Sequence, residues 1–223
     1  MKKVPLALDL DPEAETEEGV SPEASSHDRL LQAARVLFAQ QGYENTTTSA
    51  ISRRAGTSES QLIKHFGSKE GLLEAIFDQG WKRMEGGLRE VLSREGRPVD
   101  RLHAVTGLLI DAFERDPELR TLMLLEGRRI RRHGHMVILT RGFLKLVGVV
   151  DEVLREMREA GQIRPDLSVD AVRSALIGAI EGLLRDQLLA ERGSYPARYD
   201  GAELRRVFQA LLEGLLSSSR TAL

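Results

Sequence analysis

Residues 46–77 read TTTSAISRRAGTSESQLIKHFGSKEGLLEAIF, and this stretch decides how the rest of the chain is understood. Thr46 or Thr47 offers a hydroxyl to an orphan N–H at the start of a short helix. Thr48, Ile51 and Ala55 share one face of that helix, and Gly56 stops it. Gly56, Thr57 and Ser58 turn the chain, and Ser58 with Gln61 has capping-box spacing, so a second short helix begins there. Leu62 and Phe66, a helical turn apart, are its inward anchors. At about 100° per residue, Lys64 then lies opposite the anchors, Ser60 and Gln61 lie nearby, and Ile63 and His65 flank it. Ser68 caps a long third helix that runs from Lys69 through Leu72, Leu73, Ile76 and Phe77 toward Trp81 and Met84. Gly80, Gly86 and Gly87 each weaken that helix by about 1 kcal/mol relative to Ala. They either ease bending or permit close packing.

Two short helices joined by a tight, Gly-containing turn have helix-turn-helix spacing, which sends the start of the second helix into a major groove. The outward residues fit that task. Gln61 suits an adenine edge, Ile63 a thymine methyl and Ser60 either kind of base. Lys64 and Lys69 suit phosphates, Thr47 adds a hydroxyl and a helix N-terminus suited to a phosphate oxygen, Ser49 and Arg53 point away from the buried face of their helix, and Ser58 stands in the turn. With His65 these make up the candidate DNA-binding set. An ordinary helical corner with a polar outer face has the same spacing.

Outward from this stretch, the chain reads as all-α. Of 223 residues only 4% are aromatic, and Leu, Ala, Glu and Arg dominate. There is no cysteine, so disulfides and thiolate metal sites are excluded. No apolar run approaches the roughly 20 residues of a membrane span, and the expectation is a soluble, cytoplasmic protein. The net charge of −2 conceals an asymmetry. Residues 1–24 set two lysines against seven carboxylates, for −5, whereas the remainder carries 30 basic and 27 acidic side chains, for +3. That segment, with three prolines and no apolar stripe, is expected to be a disordered acidic tail. Ordered structure should begin near Ser25 or Ser26 with a helix over 27–41, N-capped by Ser26, in which Leu30, Ala33, Ala34, Leu37 and Phe38 recur at helical spacing.

The run FAQQGYENTTTSAISRRAGTSESQLIKHFGSKEGLLEAI carries Gly-Tyr, Thr-Thr, Ile, Ala-Gly, Leu, Phe and Ser-Lys-Glu landmarks in ungapped order, and residues 27–74 resemble the N-terminal domain of the tetracycline-repressor (TetR) family of bacterial transcriptional regulators. The resemblance implies a homodimer that places one recognition helix in each half of a pseudo-palindromic operator. It carries family DNA contacts to Thr47, Ser49, Gln61, His65 and Lys69. It also makes the long helix after Ser68 a lever between two domains. Ile63 and His65 stand where the family usually has an aromatic residue, and Glu59 stands where a neutral or basic residue is common.

The expected organisation is therefore an acidic tail over 1–24, a helix-turn-helix domain over 25–75 and a helical ligand-binding and dimerisation domain over 76–223, with about nine helices in all. A fifth helix spans 98–114, and Asp116 with Pro117 starts a sixth that leads into Arg128, Arg129, Arg131, Arg132 and His133. A seventh runs from His135 to Ala160. His133 and His135, two apart, do not share a helical face, so no metal site is read there. Walls for a small hydrophobic effector are Trp81, Leu109, Phe113, Met123, Phe143 and Leu146, with His103 as a polar contact; the same residues would equally fill a solid core. From Asp170 onward Ala171, Ala175, Gly178, Ala179 and Gly182 form a small-residue strip beside Leu183, and a last helix over 200–217 carries Phe208, Leu211, Leu212 and Leu215. Two such helices per chain suit a four-helix dimer interface, or else complete a monomer core. Ligand-released repressor and ligand-independent DNA-binding protein are the two leading readings. No nucleophile with a base, phosphate-cradling loop, cofactor site or metal constellation points to an enzyme.

Overall fold

A computed structural model describes residues 25–126 and 140–215 of the chain. The acidic tail and the basic run from Arg128 to His135 lie outside the described residues. The elements are α1 (Ser26–Gln41), α2 (Thr48–Arg54), α3 (Glu59–Phe66), α4 (Lys69–Ser93), α5 (Pro98–Arg115), α6 (Pro117–Leu125), α7 (Arg141–Glu159), α8 (Val169–Arg192) and α9 (Gly201–Leu215). The fold is all-α, as the composition requires.

Side-chain caps set most of the helix starts. Ser25, Thr47, Ser58, Ser68, Asp116, Thr140 and Ser168 each accept a backbone N–H from the first turn that follows. Ser25, not Ser26, caps α1, because its extended backbone aims the hydroxyl at the Asp28 N–H, 3.2 Å away. Of the two threonines, Thr47 caps α2. Thr46 is buried and donates its hydroxyl to the Gly42 carbonyl at 2.8 Å. The seventh helix starts at Arg141 behind its Thr140 cap, short of the His135 start expected from periodicity.

Two hydrophobic clusters divide the molecule. The first joins Leu30, Ala34 and Phe38 of α1, Tyr43, Ile51 of α2, Leu62 of α3 and Leu72, Leu73, Ile76 and Phe77 of α4 with Leu119 and Leu122 of α6. The second packs α5, α7, α8 and α9 around the later turns of α4, with Leu102, Ile110, Val153, Leu154, Leu184 and Leu204 among its buried members. These are the head and the body. The expected boundary at residue 75 falls inside the continuous helix α4, and the head core is completed from α6, so head and body share a wall.

Small residues allow close crossings at that wall and beside it. A Cβ on Gly80 would come within 2.7 Å of a Leu119 methyl, and one on Gly87 within 2.7 Å of Leu108, so these glycines bring α4 against α6 and α5. At the crossing of α4 and α7, a Cβ on Gly142 would lie 2.1 Å from the Trp81 Cβ. Trp81 is thereby locked into a helix crossing, with its ring centroid 5.8 Å from that of Phe143. Lys145 of α7 donates to Glu85 of α4 at 2.8 Å across the same crossing, and this holds the Glu85 carboxyl below its ordinary pKa.

Candidate nucleic-acid interface

The recognition surface is built on buried anchors. Leu62 and Ile51 are fully buried, which fixes the rotation of α3 and α2 and turns the opposite residues outward. Ser60, Ile63, Lys64 and His65 of α3 are exposed, as are Thr47, Ser49 and Arg53 at α2 and Ser58 in the turn, while Gln61 and Lys69 are half-buried. Gly56 makes the turn at φ +60, in the left-handed region that favours glycine. The exposed Ile63 side chain, at 52%, has no structural task on its own chain and is available to a base methyl.

Hydrogen bonds distinguish the members of this set. Arg53 and Lys64 have no side-chain partner among the described residues, so their charges are free for phosphates. The Thr47 and Ser58 hydroxyls are engaged as caps, at 3.1 Å from the Ala50 N–H and 3.3 Å from the Gln61 N–H, and Ser58 also shares a 2.8 Å hydrogen bond with Ser60. Lys69 donates to the carbonyls of Tyr43 and Thr46 at 3.0 and 2.9 Å and stands 4.1 Å over the Tyr43 ring. Two of its three donors are thus spent on the loop before α2, and one remains. His65 shares a 2.9 Å hydrogen bond with Ser26 and meets the His27 ring edge-on at 5.6 Å, which ties the recognition helix to α1. Glu59, in the first turn of α3, accepts from Thr48 at 2.6 Å.

Behind the head, α4, α5 and α6 enclose a groove of about 270 Å³ lined by Gly80, Arg83, Met84, Leu108, Ala112, Arg115, Asp116 and Leu119. None of the expected ligand walls lines it. Leu109, Phe113 and Leu146 are buried in the body core, Trp81 and Met123 pack against that core, Phe143 stands beside Trp81, and His103 is half-buried elsewhere on α5. The reason is rotational. Leu108 and Ala112 face the groove, and Leu109 and Phe113, one residue further on, are turned about 100° into the core.

Sequence reasoning also missed what joins head to body here. Arg35 of α1 pairs with Asp116 and, at 2.8 Å, with Glu118, while Arg83 of α4 reaches the other Asp116 oxygen at 3.3 Å. A lone arginine between Ala34 and Val36, beside the apolar stripe of α1, was the one available signal. At the far end of α8, Arg192 donates to Thr121 of α6 at 3.0 Å and to the Ala39 carbonyl of α1 at 3.4 Å.

On α8, Ala175 and Gly178 are exposed and Ala179 and Gly182 are half-exposed. The assignment of Phe208 and Leu212 to a dimer face is corrected. Both are buried, at 3% and 1%, because Leu204, Phe208 and Leu212 form the inward stripe of α9. Leu183 and Leu215 are half-buried against the body core. The large apolar residues that α9 leaves exposed are Val207 at 41% and Leu211 at 45%.

Comparison with known proteins agrees with this geometry. Residues 30–76 match the family model described as bacterial regulatory proteins, tetR family. The chain is 30% identical over 156 residues to the transcriptional repressor KstR2 of Mycolicibacterium smegmatis, covering 68% of this chain and 74% of that protein. The chain belongs to the TetR family. It is a TetR-family DNA-binding transcriptional regulator, and helices α2 and α3 are the family's helix-turn-helix. It is also 25% identical over 201 residues to the transcriptional regulator UidR of Escherichia coli strain K12, covering 86% of this chain and 93% of UidR. The fold is similar to that of the transcriptional regulator FadR from Bacillus subtilis in complex with stearoyl-CoA, with a TM-score of 0.69 and 19% identity over 83% of this chain and 97% of that one. These TetR-family relatives are named as regulators, not as enzymes. Among the described residues no helix is long and apolar enough to cross a membrane, and no cluster of His, Asp and Glu has the makings of a metal site.

Proposed function

We propose that this regulator is a homodimeric repressor, that it binds a pseudo-palindromic operator through α3 of each subunit, and that a small molecule bound in the body releases it. The observation that carries the reading is the outward face of α3 and α2, where Gln61, Ile63, Lys64 and Arg53 are displayed around a buried Leu62 anchor. Base contacts come from Gln61, Ile63, Ser60 and His65, and phosphate contacts from Arg53, Lys64, Thr47, Ser49 and the remaining donor of Lys69. Residues 25–75 form the reading head and 76–223 the ligand-binding and dimerisation body.

The dimer is supported by the exposed small residues Ala175 and Gly178 of α8, which let two helix backbones approach, and by exposed Val207 and Leu211 of α9. The ligand response is supported by the shared wall of head and body, since α6 contributes to both the head core and the groove. FadR with bound stearoyl-CoA is a fold neighbour that holds a small molecule. A ligand that favours one spacing of the two heads weakens operator binding by the factor by which operator weakens ligand binding. Titrating a pseudo-palindromic operator should show two subunits per site and a steep loss of affinity with salt. Salt-independent binding, or one subunit per site, would refute the reading.

A further inference from the structure

We infer that the groove between α4, α5 and α6 binds an amphipathic anion, a single carboxylate on an apolar tail of medium length. This rests on the ligand-released reading above and names the chemistry of the effector. Gly80, Arg83 and Met84 lie on one stripe of α4, and Leu108, Ala112 and Arg115 on one stripe of α5, so the two helices turn matching faces to the groove. Asp116 and Leu119 close it from the first turn of α6. The floor is apolar, and the rim carries the Arg83 and Arg115 guanidiniums and the Asp116 carboxylate, which is paired with Arg35. The volume of about 270 Å³ sits just under the roughly 300 Å³ at which ligand pockets begin, which limits the tail.

The rim has cationic capacity to spare. Arg115 spends its Nε on the Asp111 carbonyl at 2.9 Å and has no carboxylate partner among the described residues. Arg83 is exposed and donates to Asp116 at 3.3 Å and to Gln79 at 3.2 Å. Arg83 is the partner of one Asp116 oxygen, and the other oxygen is held separately. This second oxygen already takes Arg35 and the Leu119 N–H, the latter at 3.0 Å, and the side chain is only 14% exposed. Turning Arg83 to an incoming anion exchanges its contacts with Asp116 and Gln79 for the ligand carboxylate while Arg35 keeps the Asp116 charge paired, and with Arg115 it would complete a two-armed carboxylate clamp. A neutral molecule of the same length would cover Met84, Leu108, Ala112 and Leu119 but leave both guanidiniums to water.

The position of the groove connects it to the head. The Leu119 methyls lie 2.7 and 2.8 Å from where a Cβ on Gly80 would stand, so a tail that presses toward this point pushes the Leu119 side chain aside. Leu119 and Leu122 belong to the head core with Leu30, Ala34 and Phe38 of α1, so a shift of Leu119 is felt there.

The test compares octanoate with 1-octanol on the full-length protein, read by calorimetry and by the fluorescence of Trp81, the single tryptophan, next to Gly80. Octanoate should bind at least tenfold more tightly than octanol. R115Q and R83Q should each cut octanoate affinity about tenfold and leave octanol unchanged, consistent with charge-assisted hydrogen bonds. A112F, which fills the groove, should abolish both. Equal binding of the two probes, or octanoate binding indifferent to R115Q or to A112F, overturns the inference. Octanoate that binds without weakening operator binding overturns its role as effector chemistry. Operator titration of the same preparations without octanoate reads the regulator function separately. Normal operator binding beside a failed octanoate response sinks only the ligand class. If operator binding itself fails, the reading on which this inference rests falls.

Discussion

The molecule shows two prepared surfaces, and they differ in kind. The outward face of α3 and α2 is polar and cationic, with Arg53 and Lys64 uncommitted and Ile63 as its exposed apolar contact. The outward face of α8 and α9 includes the small residues Ala175 and Gly178 and the apolar Val207 and Leu211. A charged surface acts at a distance and is screened by salt; a small-residue surface acts only on close contact and is not. Residues 25–70 carry a net charge of only +2, so a single head attracts DNA weakly. On the dimeric reading proposed above, specific affinity depends on the second surface holding two copies of the first.

The sharpest break in that comparison comes from the small-residue face. A Cβ on Gly178 meets nothing within 4 Å on its own chain, so G178E should fold normally. It places a charge in the middle of the pairing face. Sedimentation should then report a monomer, and operator affinity should fall about 100- to 10,000-fold, the avidity lost when two linked sites become one. If the variant is dimeric, the pairing face lies elsewhere.

The cationic face should fail differently. R53A and K64A should leave the dimer intact and weaken operator binding on all sequences alike. With two copies per dimer, each substitution should also flatten the slope of log affinity against log salt by about 1.8. A wild-type slope retained in both variants would mean that neither side chain reaches a phosphate. I63A is the next smaller test. Removing the one exposed apolar contact on α3 should erase a preference for thymine at one position per half-site, at a cost of about 1 kcal/mol or somewhat more, while salt dependence stays as it was. Selection of binding sites from random DNA with both proteins would show it.

The two surfaces were not equally legible in the sequence. The head is written locally, with Thr47, Ser58 and Ser68 each capping an N–H three residues away and Leu62 and Phe66 setting the rotation of α3 within one turn. Local chemistry of this sort needs no knowledge of the rest of the fold. The body is written at long range. Arg35 finds Asp116 81 residues away and Arg192 finds Ala39 153 residues away, and nothing near either residue names its partner. Periodicity located α9 but not its rotation. Leu211 and Leu212 are chemically alike, and only the packing of Leu204 and Phe208 against the body decides that Leu212 is core and Leu211 is surface. The groove was missed by the same single-residue step, at Leu108 against Leu109.

Glu59 offers the smallest effect and the finest distinction between the faces. Its carboxylate lies in the first turn of the recognition helix, where a negative charge favours the helix by about 0.3–1 kcal/mol, and it accepts from Thr48 at 2.6 Å. The same charge faces the phosphates that Arg53 and Lys64 attract. E59Q keeps the side chain's shape and an oxygen for Thr48 but removes the repulsion. Operator binding should tighten by about two- to tenfold at low salt, evenly across operator sequences, and the gain should shrink as salt screens the interaction. A loss confined to one base-pair position would reverse the assignment, because a carboxylate accepts a hydrogen bond from the amino group of cytosine and from no phosphate. Glu59 would then belong with Gln61 and Ile63 as a reader of sequence, and the head would owe its modest charge to specificity.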